Sequence, residues 1–505
     1  MKPEPASSPS SLAAIDRQAR APLFDAMREY AAKDAVVAFH TPGHKQGHSM
    51  EPEFRRLVGE ATMRMDLTEL DELDDLHHPE GVILEAQALA AEAFGADATY
   101  FLVNGSTAGL HAMVMAVCAP GDKLIMPRNA HPSVVGGLIL AGARPVYMRP
   151  VWDDALGMAH GVTPATVERA LLDHPDARGV LVVHPTMAGG ASDLERIAAI
   201  CHAHGKPLLV DEAHGPHMHF HPDLPTSGMA AGADMAVQSI HKTAAGLSQA
   251  AMLHVRRGRV DPNRVRNGLG LVQSSSPSYL LMASLDTARR QLATNGHQLL
   301  TETIRLAETA RRRLNALPGV HVFGRDRCRP DGLFDLDVTR LTIDVTGLGL
   351  TGFQALTRLN AGFDIQPELA TPRHVLLIVT IGNTARDLDR VVDAFQALST
   401  EAARAGTPGR STVPLGLPVP DGLPLAALTP REAFFAATEA IAFEEAEGRV
   451  CAERVVPMPL GLPILLPGEV ITKDLIAYLR LVHDAGGVID GPEDARLRTI
   501  RVVLA

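Results

Sequence analysis

The sequence predicts an α/β protein: a large, mostly parallel sheet covered by helices on both faces, followed by two smaller α+β regions. Three observations support this fold class. Between residues 100 and 255, seven short apolar runs alternate with segments of helical periodicity, as expected for strands joined by crossover helices. One or two long helices are then expected at 279–316. Finally, a stretch rich in Pro and Gly at 404–424 separates the last part of the chain.

The composition is that of a globular protein and excludes several functional classes. The 505 residues are 46% hydrophobic and 21% charged, which is enough to bury large cores and excludes a disordered chain. The net charge of -11 provides no basic surface for nucleic acid or an anionic membrane. No apolar run reaches the roughly 18 residues of a membrane-spanning helix, and the first residues, MKPEPASSPSS, do not form a secretory signal.

The cysteines indicate a reducing compartment. Four are present and far apart, and none belongs to a CxxC pair, so neither a zinc site nor a disulfide framework is expected. We therefore expect a cytoplasmic protein. Its cysteines are Cys118, Cys201, Cys328 and Cys451.

The elements follow in chain order. Residues 1–11 are expected to lack structure, and a helical pattern runs from Leu12 to Tyr30. Loops with short elements are expected from about Ala35 to Asp75, followed by a helix at 81–95. The strands of the sheet are expected at 100–103, 124–126, 145–148, 179–183, 207–211, 235–238 and 251–255. The helices between them are expected near 107–118, 132–142, 164–174 and 193–204.

The second half of the sequence predicts the two smaller α+β regions. Strands are expected at 319–323, 340–346 and 374–381, and helices at 351–360, 384–398, 430–446 and 472–485. The expected organisation is an N-terminal segment at 1–35, a large α/β domain at 36–290, a small α+β domain at 291–403, a linker at 404–424 and a C-terminal α+β domain at 425–505.

Polar residues at the ends of predicted strands indicate a cofactor site. Asn104-Gly105-Ser106-Thr107 follows the first strand and opens a helix, where hydroxyls and free N–H groups suit a phosphate. By itself, an ordinary helix N-cap explains this segment equally well. Asp211 ends a later strand, where its carboxylate could pair with a protonated ring nitrogen or simply cap the next helix.

Lys242 completes the pattern. It is flanked by Ser239, His241 and Thr243 just after the next strand, which suits an amine that forms a Schiff base. Alone, it would be better explained as a solvated surface lysine. The order of phosphate site, strand-end Asp211 and Lys242 is the one expected of a pyridoxal-phosphate (PLP) enzyme with the aspartate-aminotransferase fold.

The chain also resembles the Orn/Lys/Arg decarboxylase family, group III, in its short form without the N-terminal wing domain. The resemblance covers residues 35–505. It rests on FHTPGHKQG (39–47), DLTELDELDDLHHPEG (66–81), LVNGSTAG (102–109), PRNAHPSV (127–134), DEAHG (211–215), QSIHKT (238–243), SSSPSYLLMASLD (274–286) and LPGE (466–469).

The resemblance implies the PLP fold type I and a role for each matching residue. Lys242 would carry the cofactor, Asp211 would keep the ring nitrogen protonated, and His131 would stack on the ring. The other residues expected to contact PLP are Gly105, Ser106 and Thr107 at the phosphate, Ser239 and His241 in support, His214 near the ring, and Ser276 from a neighbouring subunit. Glu469 is the candidate for the basic end of the substrate.

The implied reaction is the α-decarboxylation of a basic L-amino acid in a homodimer or higher homo-oligomer with shared active sites. Arginine is the first choice, followed by lysine and ornithine. Four positions depart from the family pattern and could change the pocket. Leu110 stands where the resemblance implies Asn, Pro132 where it implies Lys, and Met187 and Met458 where it implies Tyr. Two alternatives therefore stay open: another PLP reaction (transamination, oxidation or aldol cleavage) on a related amino acid, or a catalytically silent regulatory homologue.

Several polar clusters have a competing interpretation as metal sites. Histidines occur at 40–48, 77–78 and 214–221, the second group beside an acidic run at 66–75. We expect no metal, because convergent acids or cysteines are missing and the acidic run does not match a calcium loop. The last group is expected to line the cofactor, and the acidic run to lie at a subunit interface.

Overall fold

The computed structural model describes residues 17–154, 156–405, 424–458, 463–484 and 488–504. Its contacts divide the chain into two units, Met1–Ala116 with Asp211–Thr301 and Val117–Val210 with Glu302–Ala505. The segment 1–11 and residues 406–423 of the expected linker lie outside the described residues. The domain boundaries expected from the sequence stay predictions.

The first unit is built from two segments of the chain, and both segments contribute helices. They are α1 (Pro22–Ala31), α2 (Pro52–Val58), α3 (Glu60–Met65), α4 (Val82–Phe94), α5 (Gly105–Val117), α9 (Ile240–Thr243), α10 (Pro262–Val272) and the first part of α11 (Tyr279–Asn315). Its strands are β1 (Ala98–Leu102), β9 (Met235–Gln238) and β10 (Ala251–Val255), and it begins again after residue 210 with the last residue of β8 (Leu208–Asp211).

The three complete strands of this unit pair in antiparallel fashion. β1 pairs with β10 over its full length, and β10 pairs with β9. The mostly parallel arrangement expected from the sequence therefore includes these two antiparallel pairs. The chain passes from β9 to β10 through residues 239–250, which contain the four-residue α9.

The buried core of the first unit determines where the ends of its strands lie. Leu23 and Met27 of α1, Phe94 of α4, Phe101 of β1 and Tyr279 of α11 are all buried in one cluster. Because β1 runs directly into α5 and β9 directly into α9, the helix starts that follow them stand at the carboxyl ends of strands. This is the part of an α/β sheet where ligands bind.

The second unit contains the remaining helices and strands. Its helices are α6 (Pro132–Ala141), α7 (Pro164–Asp173), α8 (Leu194–Ala203), α12 (Gly352–Phe363), α13 (Ala385–Arg404), α14 (Pro430–Phe435) and α15 (Lys473–Asp484). Its strands are β2 (Lys123–Pro127), β3 (Arg144–Met148), β4 (Trp152–Asp153), β5 (Met158–Ala159), β6 (Gly179–Val183), β7 (Gly190–Ala191), β8, β11 (His321–Val322), β12 (Asp335–Leu336), β13 (Arg340–Asp344), β14 (Leu369–Ala370), β15 (His374–Ile378), β16 (Thr438–Ala442), β17 (Val456–Met458), β18 (Val488–Asp490) and β19 (Thr499–Val503).

These strands form a parallel set and several antiparallel ones. β2 lies between β3 and β6 and is parallel to both, and β8 follows β6. A four-stranded sheet has the order β11-β13-β15-β14, and the two-stranded sheets are β4-β5, β7-β12, β16-β19 and β17-β18. Separate apolar clusters support the four-stranded sheet and the C-terminal strands, so each forms its own small α+β core.

Most predicted elements are confirmed, and one is wrong. The strands at 179–183, 235–238 and 251–255 have the predicted bounds, and α11 is one continuous helix. The helix expected at 430–446 ends at Phe435, and β16 follows it. The Ala- and Glu-rich sequence favours a helix locally, but pairing of β16 with β19 over five residues overrides that propensity. None of the described helices is both long and apolar enough to cross a membrane.

Candidate active site

A buried carboxylate marks the end of β8. Asp211 is 4% exposed, and the backbone N–H of Ala213 donates to its Oδ1 at 3.2 Å. Burial raises the pKa of Asp211, while the Ala213 N–H and the nearby Lys242 cation act in the opposite direction. A buried carboxylate of this kind gains most from a cationic partner.

Lys242 lies in the single turn of α9, directly after β9. Its Nζ is 3.0 Å from Nε2 of His214, a residue of the loop that follows Asp211. The same turn is held by His217, whose Nδ1 lies 3.0 Å from Oγ1 of Thr243. The strand-end Asp, the loop histidine and the amine predicted from sequence therefore belong to one site in the first unit.

A pair of hydroxyls stands at the start of α5. Oγ of Ser239 donates to Oγ of Ser106 at 2.8 Å, which joins the end of β9 to the first turn of the helix. Gly105 begins α5 with a φ of +70°, a conformation that residues with a side chain rarely adopt. Together with Thr107, this start of a thirteen-residue helix presents hydroxyls and backbone N–H groups suited to a phosphate.

Two neighbouring segments support this helix start. His241 Nδ1 lies 3.0 Å from the carbonyl oxygen of Ala250, and this contact stabilises the loop after α9. The backbone N–H of Ser274 donates to Oδ1 of Asn104 at 3.0 Å. Ser276 follows on the exposed part of that segment, and its predicted contact with a neighbouring subunit stays a prediction.

His131 and Pro132 lie in the second unit, at the start of α6. His131 is the N-cap, and its Nδ1 accepts from the backbone N–H of Ser133 at 3.2 Å. Pro132 is the first residue of the helix, a position at which proline loses no hydrogen bond. This explains how the chain accepts proline where the family has lysine. The predicted stacking of His131 on a cofactor stays a prediction.

Glu469, also in the second unit, is part of a buried ion pair. Nη2 of Arg128 donates to Glu469 Oε2 at 2.7 Å, and Nη1 donates to Oε1. The backbone N–H of Leu466 donates to Oε2 at 2.8 Å. Arg128 also donates to the carbonyl oxygens of Pro463 and Ile464, both at 3.0 Å. A substrate cation at Glu469 would therefore share the carboxylate with Arg128.

Arg128 was not among the site residues expected from the sequence, although it lies in the PRNAHPSV segment that carries the resemblance. Glu212 and Gln238, which stand beside Asp211 and Ser239, were not expected either. The signal in each case was a charged or amide side chain inside a matching motif. The sequence could not show that these side chains are buried.

The departures from the family pattern differ in their surroundings. Leu110 is 1% exposed within α5, so it fills core where the family has asparagine. Met187 is 41% exposed. The side chain of Met458 lies outside the described part of the structure.

The histidines clustered after Asp211 contact different partners. His219 Nδ1 lies 3.0 Å from Oγ of Ser227, and His221 Nε2 lies 3.0 Å from Oγ1 of Thr301. His214, in contrast, contacts Lys242. Within the described ranges, no group of three or more His, Cys, Asp or Glu side chains could hold a metal ion.

The acidic run 66–75 has a structural function at its end. Oδ2 of Asp74 accepts from the backbone N–H groups of Gly81 and Ile83 at 2.8 and 3.0 Å. Its Oδ1 accepts from Glu80 N–H at 2.9 Å. Asp74 thus caps the start of α4. Its expected place at a subunit interface stays a prediction.

Taken together, the first unit offers an amine, a buried carboxylate and a hydroxyl pair at a helix start. This set fits an aldehyde with a basic ring nitrogen and a phosphate, since the three groups match those three functions. In that arrangement the amine can react with a carbonyl while the carboxylate keeps a ring nitrogen protonated.

Comparison with solved structures identifies the fold. The Francisella novicida lysine decarboxylase LdcF is similar with a TM-score of 0.81 and 23% identity, over 97% of this chain and 82% of that one. Lysine decarboxylase A from Pseudomonas aeruginosa gives 0.80 and 24%, over 98% and 82%. Alanine–glyoxylate aminotransferase from Nostoc sp. gives 0.50 over 63% and 86%, at 20% identity. The predicted PLP fold type I, with a C-terminal domain, is confirmed.

Comparison with protein sequences extends over almost the whole chain. An arginine decarboxylase of Halalkalibacterium halodurans is 45% identical over 97% of this chain and 99% of its own length. An arginine decarboxylase of Bacillus subtilis is 44% identical over 96% and 98%. The family models for the major domain and the C-terminal domain of Orn/Lys/Arg decarboxylases match residues 21–329 and 419–491. Site residues, fold and sequence thus lead to one assignment, and the chain belongs to the Orn/Lys/Arg decarboxylase family.

Proposed function

We propose that this protein is a PLP-dependent decarboxylase of a basic L-amino acid, with arginine as the first choice and lysine or ornithine next. The observation that carries the proposal is the grouping of Lys242, His214 and buried Asp211 beside the Ser106–Ser239 pair. The choice of arginine is supported by relatives named arginine decarboxylase at 43–45% identity. The reaction converts arginine and one proton into agmatine and carbon dioxide.

The residues of the first unit divide the work of holding the cofactor. Ser106, Thr107 and Ser239 would bind the phosphate at the start of α5. Lys242 would attach to the aldehyde carbon and yield this position to the substrate amine. Asp211 would hold a proton on the ring nitrogen through a charge-assisted hydrogen bond. When bound, PLP supplies the electron sink for the bond that breaks at Cα.

His214 is placed to manage protons at Lys242. The 3.0 Å between its Nε2 and the lysine Nζ allows a hydrogen bond, so the imidazole can accept a proton from the ammonium and leave the amine nucleophilic. The proposed roles of His131 against the ring and of Glu469 at the substrate's basic end rest on the family resemblance.

We also propose that the active form is a homodimer, or a larger homo-oligomer, with shared active sites. In the first unit, Val37 is 79% exposed, Phe39 91% and Leu57 72%. Large exposed apolar side chains of this kind could be covered by a neighbouring subunit. The segment that carries Ser276 is exposed as well and would reach the phosphate of the neighbouring site.

A cytoplasmic location agrees with the four free cysteines and remains a prediction.

A product assay tests the reaction. Purified protein supplied with PLP is incubated with arginine, lysine or ornithine, and both the amine and the carbon dioxide are measured. We expect agmatine and carbon dioxide in equal amounts from arginine. Carbon dioxide without agmatine, or a keto acid or aldehyde in its place, would indicate another PLP reaction. No PLP absorption band would indicate a silent homologue.

Lys242→Ala tests the proposed site within the same assay. We expect turnover to be lost and PLP to be held only without a covalent bond. Borohydride reduction of the wild-type protein followed by mass spectrometry should place the cofactor on Lys242. A label on any other lysine contradicts the assignment.

A further inference from the structure

A buried row of four polar side chains crosses the strands of the first unit. Oε2 of Glu212 accepts from Nε2 of Gln238 at 2.8 Å, and Oε1 of Gln238 lies 3.1 Å from Nε2 of His254. Nδ1 of His254 lies 2.8 Å from Oγ1 of Thr99. We call Thr99, His254, Gln238 and Glu212 the polar row. All four are at most 3% exposed.

The polar row follows directly from strand geometry. His254 on β10 and Thr99 on β1 are paired in register, so their side chains project from the same face. Gln238 is the last residue of β9, and the backbone N–H of Glu212 donates to the carbonyl of Val237 at 2.9 Å. The row therefore joins β1, β10, β9 and the end of β8 by side chains.

The hydrogen bonds of the row run in one direction. His254 is neutral, since burial lowers its pKa to about 3. A neutral imidazole has one donor and one acceptor. With Glu212 ionised, Gln238 Nε2–H donates to the carboxylate, His254 Nε2–H donates to Gln238 Oε1, and the Thr99 hydroxyl donates to His254 Nδ1.

The two ends of the row stand next to residues of the proposed site. Glu212 follows Asp211, and Gln238 precedes Ser239. The second oxygen of Glu212, Oε1, accepts from the backbone N–H of Gly228 at 2.7 Å. Both strand ends are thus held from the side opposite to the groups that would face the cofactor, because neighbouring residues of a strand point to opposite faces.

We propose that the polar row holds the strand ends carrying Asp211 and Ser239 in register. Glu212 is a positioning residue because it completes the row through its hydrogen bonds with Gln238 and Gly228, and when ionised its carboxylate also determines the direction of the row. This inference rests on the proposed function for its effect on PLP. The row itself concerns the protein without cofactor.

The chemistry of the row makes its direction reversible. Thr99, neutral His254 and Gln238 can each exchange donor and acceptor roles, by rotation, tautomer change or amide flip. Only an ionised Glu212 is restricted to accepting. A Gln at position 212 would keep its oxygen towards Gly228 N–H and donate to Gln238, so that the whole row reverses and the proton of His254 moves from Nε2 to Nδ1.

Protonation of Glu212 should have the same consequence as the amide. Burial is the main cause that raises the pKa of Glu212 to about 8, with Asp211 adding to it and the two hydrogen-bond donors opposing it. The charged or titratable groups that face the row are Asp211 beside Glu212 and His219 beside His254.

The first experiment measures the tautomer of His254 by ¹⁵N NMR of histidine-labelled apoprotein, with the signal identified by its loss in His254→Gln. At a pH above the titration of Glu212, we expect wild type to carry the proton on Nε2 and Glu212→Gln to carry it on Nδ1. The same tautomer in both proteins overturns the proposed direction. This result is independent of PLP and stands even if the proposed function fails.

The second experiment measures PLP affinity by titration of apoprotein. Glu212→Leu leaves the donors of Gln238 and Gly228 without an acceptor, so we expect PLP binding to weaken about tenfold or more. Glu212→Gln should stay within about threefold of wild type because the row can reverse. If Glu212→Leu does not fold, the comparison of Glu212→Gln with wild type by NMR remains decisive.

A matched control separates positioning from loss of a buried hydrogen bond. Gln18 is also buried, donates to the carbonyl of Leu89 at 3.2 Å and accepts from Arg289. Gln18→Leu should lower the unfolding free energy and leave PLP affinity unchanged. Equal weakening of PLP by Gln18→Leu and Glu212→Leu, or wild-type affinity in folded Glu212→Leu, overturns the positioning role.

Discussion

The candidate site owes its chemistry to adjacent residues with opposite surroundings. Asp211 and Glu212 are consecutive buried carboxyl groups, and burial raises the pKa of each. Asp211 has Lys242 nearby, whereas Glu212 has only neutral donors, Gln238 and the Gly228 N–H. Because their partners differ, Asp211 is suited to bind a cationic ligand, whereas Glu212 is suited to hold neighbouring groups of the protein in place.

Asp211→Asn tests the first of these roles. An amide cannot hold a protonated ring nitrogen through a charge-assisted bond, so the electron sink is weakened. If that bond contributes about 3 kcal/mol at the transition state, kcat should fall on the order of 10²-fold. Steady-state kinetics with arginine measure the change, and circular dichroism serves as the folding control. A variant with near-wild-type kcat would contradict the role.

Glu212→Gln tests the second role through the pH dependence of stability. The folded protein raises the pKa of Glu212 from 4.5 to about 8, so it binds this proton more tightly than the unfolded chain does. The resulting stabilisation is complete below the unfolded pKa and is lost as the pH rises through the folded one. Relative to Glu212→Gln, wild type should lose up to about 1.4 kcal/mol per pH unit in this window.

Denaturant unfolding of both proteins across that pH range gives the measurement. Asp211 is present in both proteins, so the difference between them reports the titration of Glu212 together with its interaction with Asp211. A difference that does not change with pH would show that Glu212 is ionised throughout.

At the scale of elements, Arg128 ties two segments of the second unit together. It follows β2, and it bonds Glu469 and the carbonyls of Pro463 and Ile464. Its guanidinium also lies 4.7 Å from the ring centroid of Tyr147 on β3. A buried cation thus anchors the segment 463–469 together with backbone hydrogen bonds, such as those of Ile464 N–H to Val455 at 2.9 Å and of Gly468 N–H to Cys451 at 2.8 Å.

Glu469→Gln distinguishes anchoring from substrate binding. Removing the charge of one partner in a buried pair should cost about 3 kcal/mol or more of unfolding free energy. Contact with the substrate cation would in addition raise KM for arginine. Arg128→Met with Glu469→Met in a double-mutant cycle gives the coupling in stability. A large rise in KM without loss of stability would identify Glu469 as a substrate residue.

The C-terminal strands show how tertiary pairing overrules local preference. The sequence of residues 438–442 predicts a helix because Ala and Glu predominate in it. In the structure Ile441 pairs with Ile500 across β16 and β19, and Ile500 belongs to the C-terminal apolar cluster. The helix α14 before it does begin where the sequence indicates, since Thr429 and Glu432 form a capping box.

For the whole molecule, the proposed dimer predicts a linkage between cofactor and assembly. If Ser276 completes the phosphate site of a neighbouring subunit, PLP binds the dimer better than the monomer, and removal of PLP weakens the dimer. Sedimentation of holo- and apoprotein at matched low concentrations measures both dissociation constants. Ser276→Ala should weaken PLP binding. Equal dimer constants together with unchanged PLP affinity would show that each site is built within one chain.

The sequence by itself determined the fold class, the family and the residues at strand ends. Periodicity is a local property, so β6, β9 and β10 could be predicted to the residue. The sequence pointed to Asp211, Lys242 and Ser106 because Asp211 ends a strand and the other two lie a few residues after one, and the carboxyl ends of strands gather ligand-binding groups.

Only the tertiary structure decided which buried side chains share hydrogen bonds. Glu212, Gln238, His254 and Thr99 are separated by up to 155 residues, and nothing in their own segments indicates a common row. The same is true of Arg128 and Glu469, which lie 341 residues apart. A buried polar group must find a partner, but which partner it finds depends on strand order and register, and these are determined by packing of the whole core.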